Sequence, residues 1–352
     1  MKSTLDHGLR RAAAIVLSAI VLTAAPAAAQ PAPLRHFGDW VVGCDNVRAC
    51  HATSLLADGG TLEGLSIAIM RDAAPDAAPR VIVMDAGNGP GGLLVRAAGW
   101  ALDGTRLEIG FELAQHQLRP ARGADAALIA AIRHGREITL VDAVGVDVAA
   151  VPLNGLSASL LYMDEVQRRL GTQGALIGRG SRADASLPAP PALPVIRAPP
   201  ASDTPPRQLG EAGIARETQA FGCPGDAPRQ AVAYHRLDAR TTLALVPSPC
   251  GGGAYNSQSR GVLIAEDGTT RPARPELPMD REVPSLLFNA AWDARHRVLG
   301  LYMKTRGLGD CGLAQSQVWD GEGFRLARQI ELEPCRGSVD FITTWRAVVL
   351  PR

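Results

Sequence analysis

A mainly β protein is what this 352-residue sequence predicts. It reads as two antiparallel sandwich- or barrel-like domains, α+β in the first, joined by a proline-rich linker. Three observations carry that expectation. Short runs alternate apolar and polar residues through both halves, which is the period of a half-buried strand. Residues 183–210 are proline-dense and have little to pack, the composition of an extended spacer. The six cysteines are even in number and split two and four across that spacer, as a disulfide framework within each half requires.

The chain opens on an export signal. Lys2, Arg10 and Arg11 form a basic start, Ile15–Thr23 is a short apolar run, and Ala27-Ala28-Ala29 supplies the small residues of a cleavage site after Ala29. The run is too short for a comfortable membrane span, and no later segment reads as transmembrane. Residues 1–29 are therefore expected to be removed, leaving a periplasmic or secreted chain. In that oxidising setting the cysteines are expected to pair. Fifteen connectivities are open for six cysteines. Keeping pairs within each half leaves Cys44–Cys50 and three pairings of the other four; the set expected is Cys44–Cys50, Cys223–Cys250 and Cys311–Cys335, and each longer loop would stabilise by roughly 3 kcal/mol. No Cys-x-x-Cys or His-x-x-x-His spacing points to metal, and nothing calls for a cofactor. The net charge of +1 points to neither nucleic acid nor an anionic surface. Lys2 and Lys304 are the only lysines, and the arginines are scattered.

In the first domain, residues 34–175, Phe37–Cys44 reads as a strand with Trp40, Val42 and Cys44 on one face, and Cys50 returns after a polar turn. Ser66–Arg71, Arg80–Asp85 and Leu93–Ala97 are further strands. Arg106–Leu113 alternates most cleanly. Asp125 caps a helix over Ala126–His134 that Gly135 stops. Ser157 caps a second, with Leu160, Leu161 and Val166 inward. Glu137–Val141 and Val146–Val151 are strands between them. In the second domain, residues 215–352, strands fall at Gln230–Arg236, Thr241–Val246 and Gly261–Ala265, the last ending at an Asp267-Gly268 turn. Trp292-Asp293 followed by Leu299 is echoed by Trp319-Asp320 followed by Leu326, which predicts two successive hairpins. Phe341–Val349 closes the sheet.

Three stretches could carry chemistry. The glycine run after Cys250, ending in Tyr255 and Asn256, could present backbone N–H groups to an anion, or simply turn the chain. In Arg306-Gly-Leu-Gly-Asp310-Cys311-Gly312 the cystine would position the Asp310 carboxylate, and Arg306 could clamp an anion; an Asp in a tight turn also bonds its own backbone. Trp319-Asp320-Gly321 could hold a sugar or peptide, or be a hairpin turn over a buried Trp. There is no Gly-x-Ser-x-Gly or Ser-x-x-Lys, and no catalytic residue is assigned.

The signatures Phe37–Asn46 with Cys50, Cys250 with Gly253-Ala-Tyr-Asn256, Arg306–Gly312, and Trp319-Asp-Gly with Phe324 resemble the domain-of-unknown-function family 1176, secreted bacterial proteins of uncharacterised role. The first half, with its Asp39–Cys44 opening and Ile138–Leu160 segment, is also similar to the invasion-associated locus B family. That resemblance implies a β-sandwich-like periplasmic module and brings no catalytic residues.

The reading is thus a non-enzymatic binding protein of the bacterial envelope, whose partner is an envelope or host protein or a glycan. Its ligand residues would be Arg306, Asp310, Trp319, Asp320, Tyr255 and Asn256. Two alternatives are an envelope hydrolase using Asp310 and Asp320 as acid and base, and an inhibitor of host lysozyme.

Overall fold

The structure, a computed structural model, describes residues 32–56, 64–86, 92–115, 117–223, 230–250, 253, 255–277 and 286–352. The export segment and its cleavage junction lie outside the described residues, as do Gly251, Gly252 and Ala254 of the glycine run.

The N-terminal half contains β1 (Ala32–Phe37), β2 (Trp40–Cys44), β3 (Cys50–Ser54), β4 (Leu65–Arg71), β5 (Arg80–Asp85), β6 (Gly99–Leu102), β7 (Thr105–Leu107), β8 (Phe111–Ala114), β9 (Gln117–Pro120), α1 (Asp125–Ile132), β10 (Glu137–Val141), β11 (Asp147–Pro152) and α2 (Leu156–Val166). They form a seven-stranded sheet, β1-β2-β3-β4-β5-β9-β8, and a four-stranded sheet, β11-β10-β6-β7. Trp40, Ile67, Val83, Trp100, Leu140 and Leu160 belong to one buried core shared by the sheets and helices.

The structure departs from the expected elements at several points. Phe37–Cys44 is not one strand: Gly38 takes φ +55°, and the Asp39 N–H leaves the ladder to donate to Asn154 O at 2.8 Å, so Phe37-Gly-Asp-Trp40 is a hairpin turn. Leu93–Arg96 is a 3₁₀ turn, not a strand. Arg106–Leu113 divides between two sheets, because Leu107 pairs with Trp100 and Phe111 with Pro120; the chain turns a corner at residues 108–110. The helix caps are not those expected. Asp125 spends its carboxylate on the Val81 N–H, and Ser157 donates to Arg133 O. Leu161 faces outward at 43% exposure.

The remainder comprises β12 (Val195–Ala198), α3 (Glu211–Gln219), β13 (Ala233–Arg236), β14 (Thr241–Pro247), β15 (Gln258–Ala265), β16 (Thr270–Pro272), β17 (Leu287–Phe288), β18 (Ala291–Asp293), β19 (Val298–Lys304), β20 (Gly312–Trp319), β21 (Phe324–Leu332), β22 (Ile342–Arg346) and β23 (Val348–Pro351). One sheet runs β13-β14-β15-β16 with β17 on β15, and the other β18-β19-β20-β21-β22. Leu243, Leu263, Leu299, Trp319 and Phe324 form the buried cluster common to both. The two predicted hairpins are β18–β19 and β20–β21. All three disulfides are the pairs expected: Cys44–Cys50, Cys223–Cys250 and Cys311–Cys335.

The prolyl segment is extended but not free of contacts. Its β12 pairs in parallel with β23, Arg48 Nη2 donates to Ala189 O at 2.8 Å, and Arg297 Nη1 donates to Pro199 O at 2.6 Å. The predicted closing strand breaks for the same reason. After β22 the chain leaves β21, and Val348 N donates to Pro194 O instead.

The halves also meet directly. Val41 and Leu55 bury themselves against Leu332 and Ile342, with Leu34 and Phe341 beside them. This explains why all five residues of β2 are buried although only alternate ones face its own core: Val41 supplies the second, inter-half core. His51 Nε2 and Asp340 Oδ2 are 2.7 Å apart, and Arg336 Nη1 lies 2.9 Å from Asp39 Oδ1 across the same junction.

Candidate functional site

The six candidate ligand residues fall into two groups at opposite ends of β20. Arg306, Asp310, Tyr255 and Asn256 cluster at its start, while Trp319 and Asp320 stand at its finish. Seven residues of extended chain separate the ends by about 23 Å. A glycosidase pair must face across about 5–10 Å, so Asp310 and Asp320 cannot share one scissile bond.

At the first end, the segment Thr305–Gly312 is a knot held from three sides. The Arg306 guanidinium forks onto Asp310, Nε to Oδ1 at 2.7 Å and Nη2 to Oδ2 at 2.5 Å. The Gly337 N–H donates to Oδ2 at 2.8 Å, and the Tyr302 hydroxyl donates to Gly309 O at 2.7 Å. Gly312 is obligatory: φ is +139°, and a Cβ would lie 2.2 Å from Met303 O. Asp310 is fully buried. Burial alone would raise its pKa, but the hydrogen bonds from Arg306 and Gly337 outweigh it and hold the carboxyl below its ordinary range. Such a group is an ionised strut at neutral pH, not a proton donor. Asn256 clasps the backbone of Lys304, its Nδ2 donating to Lys304 O at 2.8 Å and its Oδ1 accepting from Lys304 N at 3.1 Å. Tyr255 is 39% exposed, and its hydroxyl donates to Thr305 O at 3.3 Å.

At the second end, Trp319 is a core residue at 1% exposure, with its indole N–H donated to Asp238 Oδ2 at 2.6 Å; it has no face to offer a ligand. Asp320 shapes its own turn, accepting Glu322 N and Gly323 N, each at 2.8 Å, and takes Arg325 Nε at 2.6 Å. Burial works to raise this carboxyl too, yet the Arg325 and backbone hydrogen bonds win and lower it.

Beside the knot lies a cleft that sequence reasoning missed. About 720 Å³ in volume, it is lined by Pro33–His36 of β1 on one wall and by Thr305, Glu331, Glu333, Pro334 and Cys335 on the other. It exists because β1 ends the seven-stranded sheet where that sheet packs on the C-terminal half. No local pattern could reveal it, since its walls are at least 269 residues apart in sequence, from His36 to Thr305. Among the described residues no cluster of His, Cys, Asp and Glu could hold a metal ion, and no helix is long and apolar enough to cross a membrane.

Comparison with known proteins agrees with the resemblance read from the signatures. A protein described as "Uncharacterized protein YpfG" of Escherichia coli (strain K12) is 29% identical over 320 residues, covering 86% of this chain and 88% of the relative. Among solved structures, invasion associated protein b of Bartonella henselae aligns at 15% identity and a TM-score of 0.27, covering 39% of this chain and 99% of that one. The model of the family "Protein of unknown function (DUF1176)" matches residues 34–350, and the chain belongs to that family.

Proposed function

We propose that this is a non-enzymatic binding protein of the bacterial envelope, exported and cleaved after Ala29, that takes a segment of an envelope or host protein into the cleft beside β1. The observation that carries this reading is the contrast between the cleft and the candidate carboxylates. Asp310 and Asp320 spend their hydrogen-bonding capacity on turns and arginines, whereas the cleft borders an end strand. End strands take up extended segments by backbone pairing. Arg35 on one wall and Glu333 on the other give such a segment charges of both signs to match. Three disulfides fit an oxidising compartment.

The hydrolase alternative loses support from the separation and ionisation of its two carboxylates. No observation favours lysozyme inhibition over any other partner.

The test is capture from periplasmic and host extracts with the mature protein and with Thr305→Trp, which fills the cleft from an exposed position. The reading expects a partner retained by the first and lost by the second. No partner together with turnover of a peptidoglycan or ester panel would overturn it. Mass spectrometry of the exported chain should find Gln30 at its start.

A further inference from the structure

Another concavity of the C-terminal half, about 620 Å³ in volume, is lined in part by residues of β12 and β23. It forms because β22 pairs with β21 only over Arg328–Glu331 before the chain departs to β12. The stretch of β21 left without a strand is capped by the backbone and side chain of Glu276 and by the Trp345 indole. Glu276 Oε2 accepts the Leu326 N–H at 2.9 Å, the Glu276 N–H donates to Phe324 O at 3.1 Å, and the Trp345 indole N–H donates to Leu326 O at 2.9 Å. Strand addition is therefore blocked there, and the groove is left for a small ligand.

Its charged groups are Arg197, Arg325, Arg352, Glu276 and Asp320. Arg325 is bound to Asp320 at 2.6 Å and faces Glu276 Oε1 at 3.8 Å. Neither the Arg197 nor the Arg352 guanidinium has an ion pair or hydrogen bond among the described residues. Arg197 stands in register with Leu350, so Arg352, two residues on, shares its face with the Cα atoms about 8 Å apart. Two guanidiniums at that spacing can both reach one carboxylate or phosphate, for which their forked donors are suited. Trp345, half-buried and pinned by its indole hydrogen bond, and Leu350, 39% exposed, give the groove a flat apolar wall. Glu276 Oε1, only loosely held by Arg325, keeps capacity to accept hydroxyls. A hydroxylated ring bearing one acidic group satisfies all three features, whereas an acyl chain would leave Glu276 and both arginines unmatched.

We infer that this groove binds an acidic sugar, with Arg197 and Arg352 clamping its carboxylate, Trp345 lying against its ring and Glu276 accepting a hydroxyl. It is a site separate from the cleft beside β1 and does not depend on what that cleft binds.

Two sugars that differ by one carboxyl-bearing substituent test it. Calorimetric titration of the mature protein with N-acetylmuramic acid should show saturable binding, and N-acetylglucosamine should bind at least about tenfold more weakly. Arg197→Ala with Arg352→Ala, both exposed positions whose loss leaves the melting temperature unchanged, should bring the acidic sugar down to the neutral one. Thr305→Trp should leave the titration as it was. Absence of N-acetylmuramic acid binding, equal affinity for the two sugars, or binding indifferent to the double substitution would overturn the inference.

Discussion

Two corners of the molecule are built alike and behave oppositely. Each sets a buried aspartate next to a cystine, Asp45 after Cys44 and Asp310 before Cys311. Each is accompanied by an asparagine that grips one residue's backbone. Asn46 Nδ2 donates to Arg346 O at 3.0 Å while its Oδ1 accepts Arg346 N at 2.8 Å, the same reciprocal clasp that Asn256 makes with Lys304. Asp45 accepts Val47 N and Ala49 N at 3.0 and 2.8 Å and pairs with the Arg346 side chain. Yet burial dominates at Asp45 and raises its pKa despite Arg346, whereas the bonds to Asp310 overcome burial and lower it. Asp45 has more protein packed around it than Asp310 has, and the two also differ in who supplies the arginine. Asp310 receives a forked guanidinium from its own turn, four residues away. Asp45 receives a single Nε contact from the other half of the chain. The knot is a self-sufficient strut; the Cys44–Cys50 corner is a docking device whose partner lies 300 residues on.

That contrast can be broken by substitution. The largest effect is expected for Asp310→Ala, which strands Arg306 and the buried Gly337 N–H. A loss of about 3 kcal/mol is expected for removing one partner of a buried pair, read by denaturant unfolding. Next come Asn46→Ala and Asn256→Ala. Each leaves one N–H and one C=O without partners, at about 1–3 kcal/mol. Hydrogen exchange separates them: Asn46→Ala should deprotect the Arg346 amide and the inter-half contact, whereas Asn256→Ala should deprotect Lys304 and leave that contact intact. The smallest effect is expected for Asp45→Asn at neutral pH. Its amide oxygen can still accept Val47 N and Ala49 N, and release of a charge that burial disfavours offsets part of the lost Arg346 contact, so stability should fall by about 1 kcal/mol.

The pH dependence carries opposite signs at the two corners. The carboxyls of Asp310 and Asp320 are lowered, so the stability they add is present above the ordinary carboxylate pKa and is lost as pH falls through their lowered values. The Asp45 carboxyl is raised, so its contribution is greatest when protonated and declines as pH climbs from the ordinary value through the raised one.

Much of this was legible in sequence because it is local. The cystine pairs, the hairpins at Trp292-Asp293 and Trp319-Asp320, and the Asp267-Gly268 turn depend on spacing and turn chemistry within a few tens of residues. What was not legible is long-range. Alternation over Arg106–Leu113 reports exposure but not which sheet each residue joins, so the corner at residues 108–110 left no trace. Val41 and Ile342 look like ordinary core residues, and only their meeting creates the junction and the cleft. Of the two readings of Trp319-Asp320-Gly321, the structure has the hairpin turn over a buried Trp. Trp345, which lines the groove with Asp320, sits on a strand that nothing local distinguishes from a core strand.

On this reading the cysteine-flanked motifs keep shape and do no chemistry. Thermal unfolding of Asp310→Asn against the unaltered chain, from neutral pH down through the carboxylate range, tests that most directly. The melting temperature of the variant should lie well below at neutral pH, and the two curves should converge on acidification as Asp310 of the unaltered chain takes up its proton. Coincident curves at every pH, together with loss of a hydrolytic activity present in the unaltered chain, would contradict it.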